Sequence, residues 1–147
     1  MPWGEPEQVY DTNNYLDTSL ITDIAQAING EYSAIACYKQ LARMARNEKE
    51  KNQIREIRND EIKHFHIFSQ IYMALTGRQP TPQIVEQCPS DYIAGLNFAI
   101  GDEQKTTDFY LDIADKTNDP YIKDQFKRAS ADEQNHAVWF LYFLTQH

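Results

Sequence analysis

Two pentapeptides constrain what this chain can fold into. DEIKH at Asp60–His64 and DEQNH at Asp132–His136 carry aspartate, glutamate and histidine at the same spacing, 72 positions apart. At that offset, with no gap, Ile21 meets Ile93, Ile28 meets Ile100, Glu31 meets Glu103, Tyr38 meets Tyr110 and Ala42 meets Ala114. The matched positions are apolar residues at helical spacing plus one polar set, while the intervening positions diverge. Two copies of one helical plan are therefore expected, built around a shared site.

The elements follow from periodicity and punctuation. Ile21, Ile24, Ile28, Ile35, Tyr38 and Ala42 recur at steps of three and four, which predicts a first helix over about 19–46. Ile54, Ile57, Phe65, Phe68, Ile71 and Leu75 predict a second over about 48–76, closed by Gly77. Three prolines in GRQPTPQIVEQCPS exclude a helix there, and Ser90 or Asp91 can cap a third helix over about 91–117. Asn118-Asp119-Pro120 breaks the pattern and starts a fourth over about 120–146. No strand pattern appears. The expected fold is all-α, an antiparallel four-helix bundle over 19–147 with a long crossover between helices 2 and 3. Residues 1–18, with Pro2, Gly4 and Pro6, are expected as an irregular arm laid over the body.

Glu31 lies about 15 residues before the first turn and Glu61 about 15 after it, so a hairpin brings them level at 1.5 Å per residue. Glu103 and Glu133 straddle Asn118 in the same way. Glu61 and His64, like Glu133 and His136, are three apart and share a helix face. Six ligand groups thus converge in mid-bundle: Glu31, Glu61, His64, Glu103, Glu133 and His136. Four buried carboxylates with nothing between them would repel one another and lose hydration, and two divalent cations relieve both costs.

One glutamate from each of two helices plus Glu-x-x-His from each of the others is the ligand plan of di-iron and di-manganese carboxylate bundles. On these six positions the chain resembles a rubrerythrin-type member of the ferritin-like superfamily, over about residues 19–146. The resemblance implies two iron ions, with manganese as the alternative and an oxo or hydroxo bridge in the oxidised state. It also implies supporting roles for four residues. Asp60 and Asp132 are expected to accept the free ring N–H of a ligating histidine from the opposite half. Tyr38 and Tyr110 are expected to hydrogen-bond the ligand carboxylates. The implied activity is reduction of peroxide or dioxygen in oxidative-stress defence. Ferroxidase-type iron handling and manganese catalase-like disproportionation of peroxide are the alternatives. Two departures stand out: rubredoxin cysteine pairs are missing, so an external electron-donor protein is expected. Lys105, Thr106 and Thr107 occupy the stretch where rubrerythrins offer a further glutamate, and Asp102 lies on a different face.

The net charge of −8 and pI near 4.9 argue against a nucleic-acid surface. The longest apolar run, Ala137–Leu144, is too short to span a bilayer. With no signal-type N-terminus and Cys37 and Cys88 far apart, both cysteines are expected as free thiols in a cytoplasmic protein. Residues 139–144 are apolar around the whole helix, which calls for cover by the N-terminal arm or by a second subunit; a homodimer is expected. His66 and His147 are assigned no role.

Overall fold

The computed structural model describes the backbone from Gly4 and side chains from Thr18 to the end of the chain. Four helices follow one another: α1 (Gly4–Met44), α2 (Glu48–Thr76), α3 (Tyr92–Lys116) and α4 (Pro120–Thr145). Their ends are set by local chemistry. Asn47 Oδ1 accepts from the Glu50 N–H to start α2, Asp91 accepts from Ala94 to start α3, and Asp119 accepts from Tyr121 and Ile122 to start α4. Gly77 closes α2 in the left-handed region at φ 72°, its N–H returning to Met73 O.

The expected irregular N-terminal arm is corrected by the backbone, which is helical from Gly4. Pro6 falls in the first turn of α1, where the missing N–H costs nothing because the first amides of a helix have no intrahelical acceptor. Whether this segment covers the end of α4 falls outside the described side chains.

The helices pair as hairpins, α1 with α2 and α3 with α4. Further contacts join α1 to α3 and α2 to α4. Across the diagonals the described backbones stay apart and only side chains meet, as Tyr38 does Phe140 (5.1 Å) and Phe68 does Tyr110 (5.2 Å), so the arrangement is a four-helix bundle around one central axis. α3 packs tightly on α1 at Gly95, where a Cβ would sit 2.6 Å from Leu41 Cδ1. The interior divides into two apolar clusters. Ile24, Ile28, Phe68, Tyr110, Ile113 and Phe126 fill one end, and Leu41, Ile54, Ile57, Leu96, Phe140 and Phe143 the other. All twelve are 1% exposed or less, which fixes the helix register by close packing.

The crossover 77–91 runs along α1 and is bonded to it. Asn29 Oδ1 accepts from the Gln83 N–H (3.0 Å), Ser33 Oγ accepts from the Val85 N–H (2.9 Å), and Gln40 Nε2 donates to Pro89 O (3.3 Å). Between these rungs Cys37 and Cys88 form a disulfide with their Cα atoms 5.1 Å apart. This corrects the expectation of two free thiols. Their separation of 51 residues hides the pairing in sequence, and the extended crossover brings the two together. Among the described residues no helix is long and apolar enough to cross a membrane.

At the end of the bundle where α2 and α3 begin, His147 is not idle. Its Nε2 lies 2.8 Å from Glu50 Oε1, and Tyr92 donates to the same oxygen at 2.5 Å. Glu50 is only 3% exposed, so these donors, with Asn47, supply the partners a buried carboxylate needs.

Gly77→Ala should destabilise the protein by about 1 kcal/mol, because a Cβ there meets no neighbour but is forced into the left-handed region. Urea unfolding followed by circular dichroism would read this as a lower midpoint at unchanged slope.

Candidate metal centre

Between the two apolar clusters lies a polar layer. Glu31 on α1, Glu61 and His64 on α2, Glu103 on α3, and Glu133 and His136 on α4 are all 4% exposed or less. Ligand-capable atoms of Glu31, Glu61, His64 and Glu133 lie within 4.8 Å of one another, as do those of Glu61, Glu103, Glu133 and His136. The two groups share Glu61 and Glu133. Each therefore has one private glutamate, one private histidine and two carboxylates in common, the layout of two adjacent cation positions joined by bridging carboxylates.

The histidines are oriented from outside. His64 Nε2 donates to Asp132 Oδ2 (2.9 Å) and His136 Nε2 donates to Asp60 Oδ2 (2.8 Å). Each aspartate thus serves the histidine of the other hairpin. With Nε2 engaged, both Nδ1 atoms point inward: His64 Nδ1 is 2.8 Å from Glu31, 3.0 Å from Glu133 and 3.2 Å from Glu61. His136 Nδ1 is 3.3 Å from Glu103 and 3.5 Å from Glu61. An outer carboxylate that fixes tautomer and ring orientation is the usual support of a metal-ligating histidine.

The tyrosines behave differently from each other. Tyr38 donates its hydroxyl to Glu103 Oε1. Burial first, and then the charges of Glu103 and Glu61, hold the Tyr38 phenol well above its ordinary pKa, so it stays a donor. Tyr110, expected to make the matching bond, makes no hydrogen bond to a site carboxylate among the described residues. Its ring is packed edge-on against Phe68 (5.2 Å) and Phe126 (5.4 Å) in the apolar cluster, and that packing sets its direction. Asp102 stays out of the centre, beside Tyr38 and Glu86. Burial, then the charges of Glu86 and Glu103, push it up to about 7. Thr107 turns its hydroxyl to the Glu103 carbonyl (2.8 Å).

Burial and the cluster's own charges set its proton affinities. Burial, reinforced by the neighbouring carboxylates, raises Glu31, Glu103 and Glu133 above the usual carboxylate range. Glu61 goes the other way: burial would raise it, but the nearness of His64 and Glu133 and the charge of His136 outweigh that. Burial would likewise lower both histidines. The bonds of His64 to Asp132 and Glu31 push it up to about 12 instead, and the close approach of Glu103 with the charge of Glu61 takes His136 to about 9. Protons on imidazole and carboxyl groups thus stand in for positive charge at the centre.

Protons do not satisfy it completely. Among the described residues, five buried side-chain polar atoms lack a hydrogen-bond partner, and four belong to this cluster: Glu61 Oε1, Glu103 Oε2, Glu133 Oε1 and His136 Nδ1. Buried polar atoms are otherwise almost always partnered, so inward-facing orphans of ligand type fit a pair of cations between them. The donor set of four carboxylates and two imidazoles suits iron or manganese better than soft-ligand metals.

Comparison with known proteins extends the sequence relationship further than the site alone. No protein-family model matches the chain. Over 130 residues it is 48% identical to the uncharacterized protein YhjR of Bacillus subtilis strain 168, covering 88% of this chain and 90% of that protein. The chain belongs to the YhjR family. A solved structure, the hypothetical protein Pfu-1136390-001 from Pyrococcus furiosus, shares the YhjR-family fold described above. It has a TM-score of 0.74 over 86% of this chain and 88% of that one, at 21% identity.

The pKa directions set the pH response of the metal-free protein. His136 at about 9 holds a proton that an unfolded histidine releases near 6.5, so its stabilisation is complete below 6.5 and lost as pH rises through 9. The raised Glu31, Glu103 and Glu133 act in the same sense from about pH 4.5 upward, because folding retains protons that unfolding releases. Chelator-treated protein should therefore melt at a lower temperature at pH 9.5 than at pH 6 in differential scanning calorimetry.

Proposed function

We propose that this protein is a rubrerythrin-like, ferritin-like dinuclear metal redox protein that reduces peroxide or dioxygen as a defence against oxidative stress. The observation that carries this reading is the pair of four-residue groups sharing Glu61 and Glu133, with inward-facing atoms left without partners. Glu31 and His64 would hold one metal, Glu103 and His136 the other, and Glu61 and Glu133 both. Two iron ions there would supply electrons to a bound oxidant by cycling between the divalent and trivalent states.

The chain's own residues hold and insulate that chemistry. Asp60 and Asp132 fix the ring planes of His136 and His64, and each also reaches outward, with side chains 36% and 20% exposed. Tyr38 holds Glu103 in place and offers a hydroxyl proton at its carboxylate. The apolar clusters above and below the polar layer exclude bulk water along the bundle axis. The electrons for turnover would come from an external donor protein. A cytoplasmic setting goes with this reading. So does a homodimer, since Val138 and Leu141 on α4 are 61% and 51% exposed.

Protein isolated from its native host should carry two metal ions per chain by plasma emission analysis, predominantly iron. It should consume peroxide only when an electron donor is supplied. Rapid Fe(II) oxidation with peroxide untouched under every donor would replace this reading with iron handling. Donor-independent loss with manganese bound would replace it with disproportionation. Glu61→Ala should remove both metals, whereas Asp132→Ala should leave the fold intact and weaken binding by about 10- to 100-fold.

A further inference from the structure

The disulfide occupies a particular place in the fold. Asn29, Ser33, Cys37 and Gln40 lie along one face of α1, and each fastens a point on the crossover: Gln83, Val85, Cys88 and Pro89. Three rungs are single hydrogen bonds, two of them at part-buried and one at an exposed position. Cys37–Cys88 is the one covalent rung among them, so it governs how firmly the strap is held. Directly beneath it, Ser33, Cys37, Tyr38, Glu86, Phe98 and Asp102 line a cavity of about 20 Å³, room for a single water. Tyr38, the inner wall, is the residue bonded to Glu103. The strap therefore closes over the side of the bundle from which Tyr38 reaches the carboxylate centre.

The two sulfurs are not equivalent. Cys37 is buried at 5%, while Cys88 on the strap is only half-buried. A thiolate approaching from solvent meets Cys88 first. In a reducing compartment, protein disulfides are as a rule transient and redox-responsive rather than permanent staples.

We propose that Cys37–Cys88 is a thiol–disulfide exchange site for dithiol reductants, and that its state sets how tightly the crossover covers the Tyr38 side of the centre. In opening, one thiolate of the dithiol attacks Cys88 Sγ, the Sγ–Sγ bond breaks, and Cys37 leaves as a thiolate that takes a proton. The second thiol of the reductant then displaces Cys88 as a thiol. Two electrons and two protons reach the protein, and the reductant departs as its own disulfide. Closure by peroxide reverses this: a cysteine thiolate is oxidised to a sulfenic acid with loss of hydroxide, and the second thiol displaces water to restore the bond. The exchange itself needs no metal; its consequence for the centre rests on the function proposed above.

The test uses the full chain, metal-free and iron-loaded. Titration of folded, metal-free protein with dithiothreitol, followed by alkylation and mass spectrometry, should yield two thiols per chain with helical circular dichroism retained. Brief treatment with glutathione should trap the mixed disulfide on Cys88. Hydrogen exchange at the amides of Gln83 and Val85 should quicken by about tenfold or more on reduction, and Cys88→Ser should reproduce that rate without reductant. A bond that opens only as the helices melt, glutathione trapped on Cys37, or unchanged exchange at both amides would overturn the proposal. Bound iron per chain, measured separately on oxidised and reduced samples, reports on the other reading. A chain that takes up no iron in either state sinks the dinuclear centre and leaves the exchange site standing.

Discussion

Burying four carboxylates in one layer is the constraint to which the rest of this bundle answers. Each ionised group taken from water costs several kcal/mol unless it is compensated, and no hydrophobic core tolerates four together. The chain compensates at three levels. Imidazoles face the carboxylates, aspartates on the far side stabilise the positive form of those imidazoles, and apolar plugs at both ends keep the helices from separating. With a truncated aromatic in either plug costing about 3–5 kcal/mol, the packing is strong enough to hold the layer shut. The structure is thus pre-organised around one shared layer of buried charge.

Much of this was legible in sequence because it is local or periodic. Gly77, Asp91 and Asp119 mark helix ends through chemistry that acts within three residues, so the boundaries of α2, α3 and α4 fall within a residue or so of expectation. The level placement of Glu31 with Glu61, and Glu103 with Glu133, follows from helical rise and hairpin geometry alone. What escaped was long-range or hidden by a misleading composition. Pro6 reads as a breaker until its place in the first turn is known. The Cys37–Cys88 bond depends on the path of the crossover, and the contact of His147 with Glu50 on how the helix ends meet. No spacing rule reaches across such separations. Tyr110 shows a different limit, since its alignment with Tyr38 says nothing about the aromatic cluster that claims its ring.

That divergence matters chemically. The internal repeat suggests two equal halves, yet Tyr38 holds Glu103 while Tyr110 holds no site carboxylate. The strap covers α1 and, among the described residues, has no counterpart fastened along α3. Asp132 also accepts from Arg128, whereas among the described residues no such cation is bonded to Asp60. The two four-residue groups therefore sit in unlike surroundings, one beside a proton-bearing phenol and the other among aromatic rings.

The crossed bonds between aspartate and histidine carry one more implication. Asp60 answers to His136, Asp132 to His64, and Tyr38 to Glu103, so every supporting contact of the centre begins in one hairpin and ends in the other. Neither hairpin possesses a complete half of the site, and neither drifts freely. Residues that lean on one another thus lie more than sixty positions apart in the chain, so a change in one hairpin is felt at a side chain of the other.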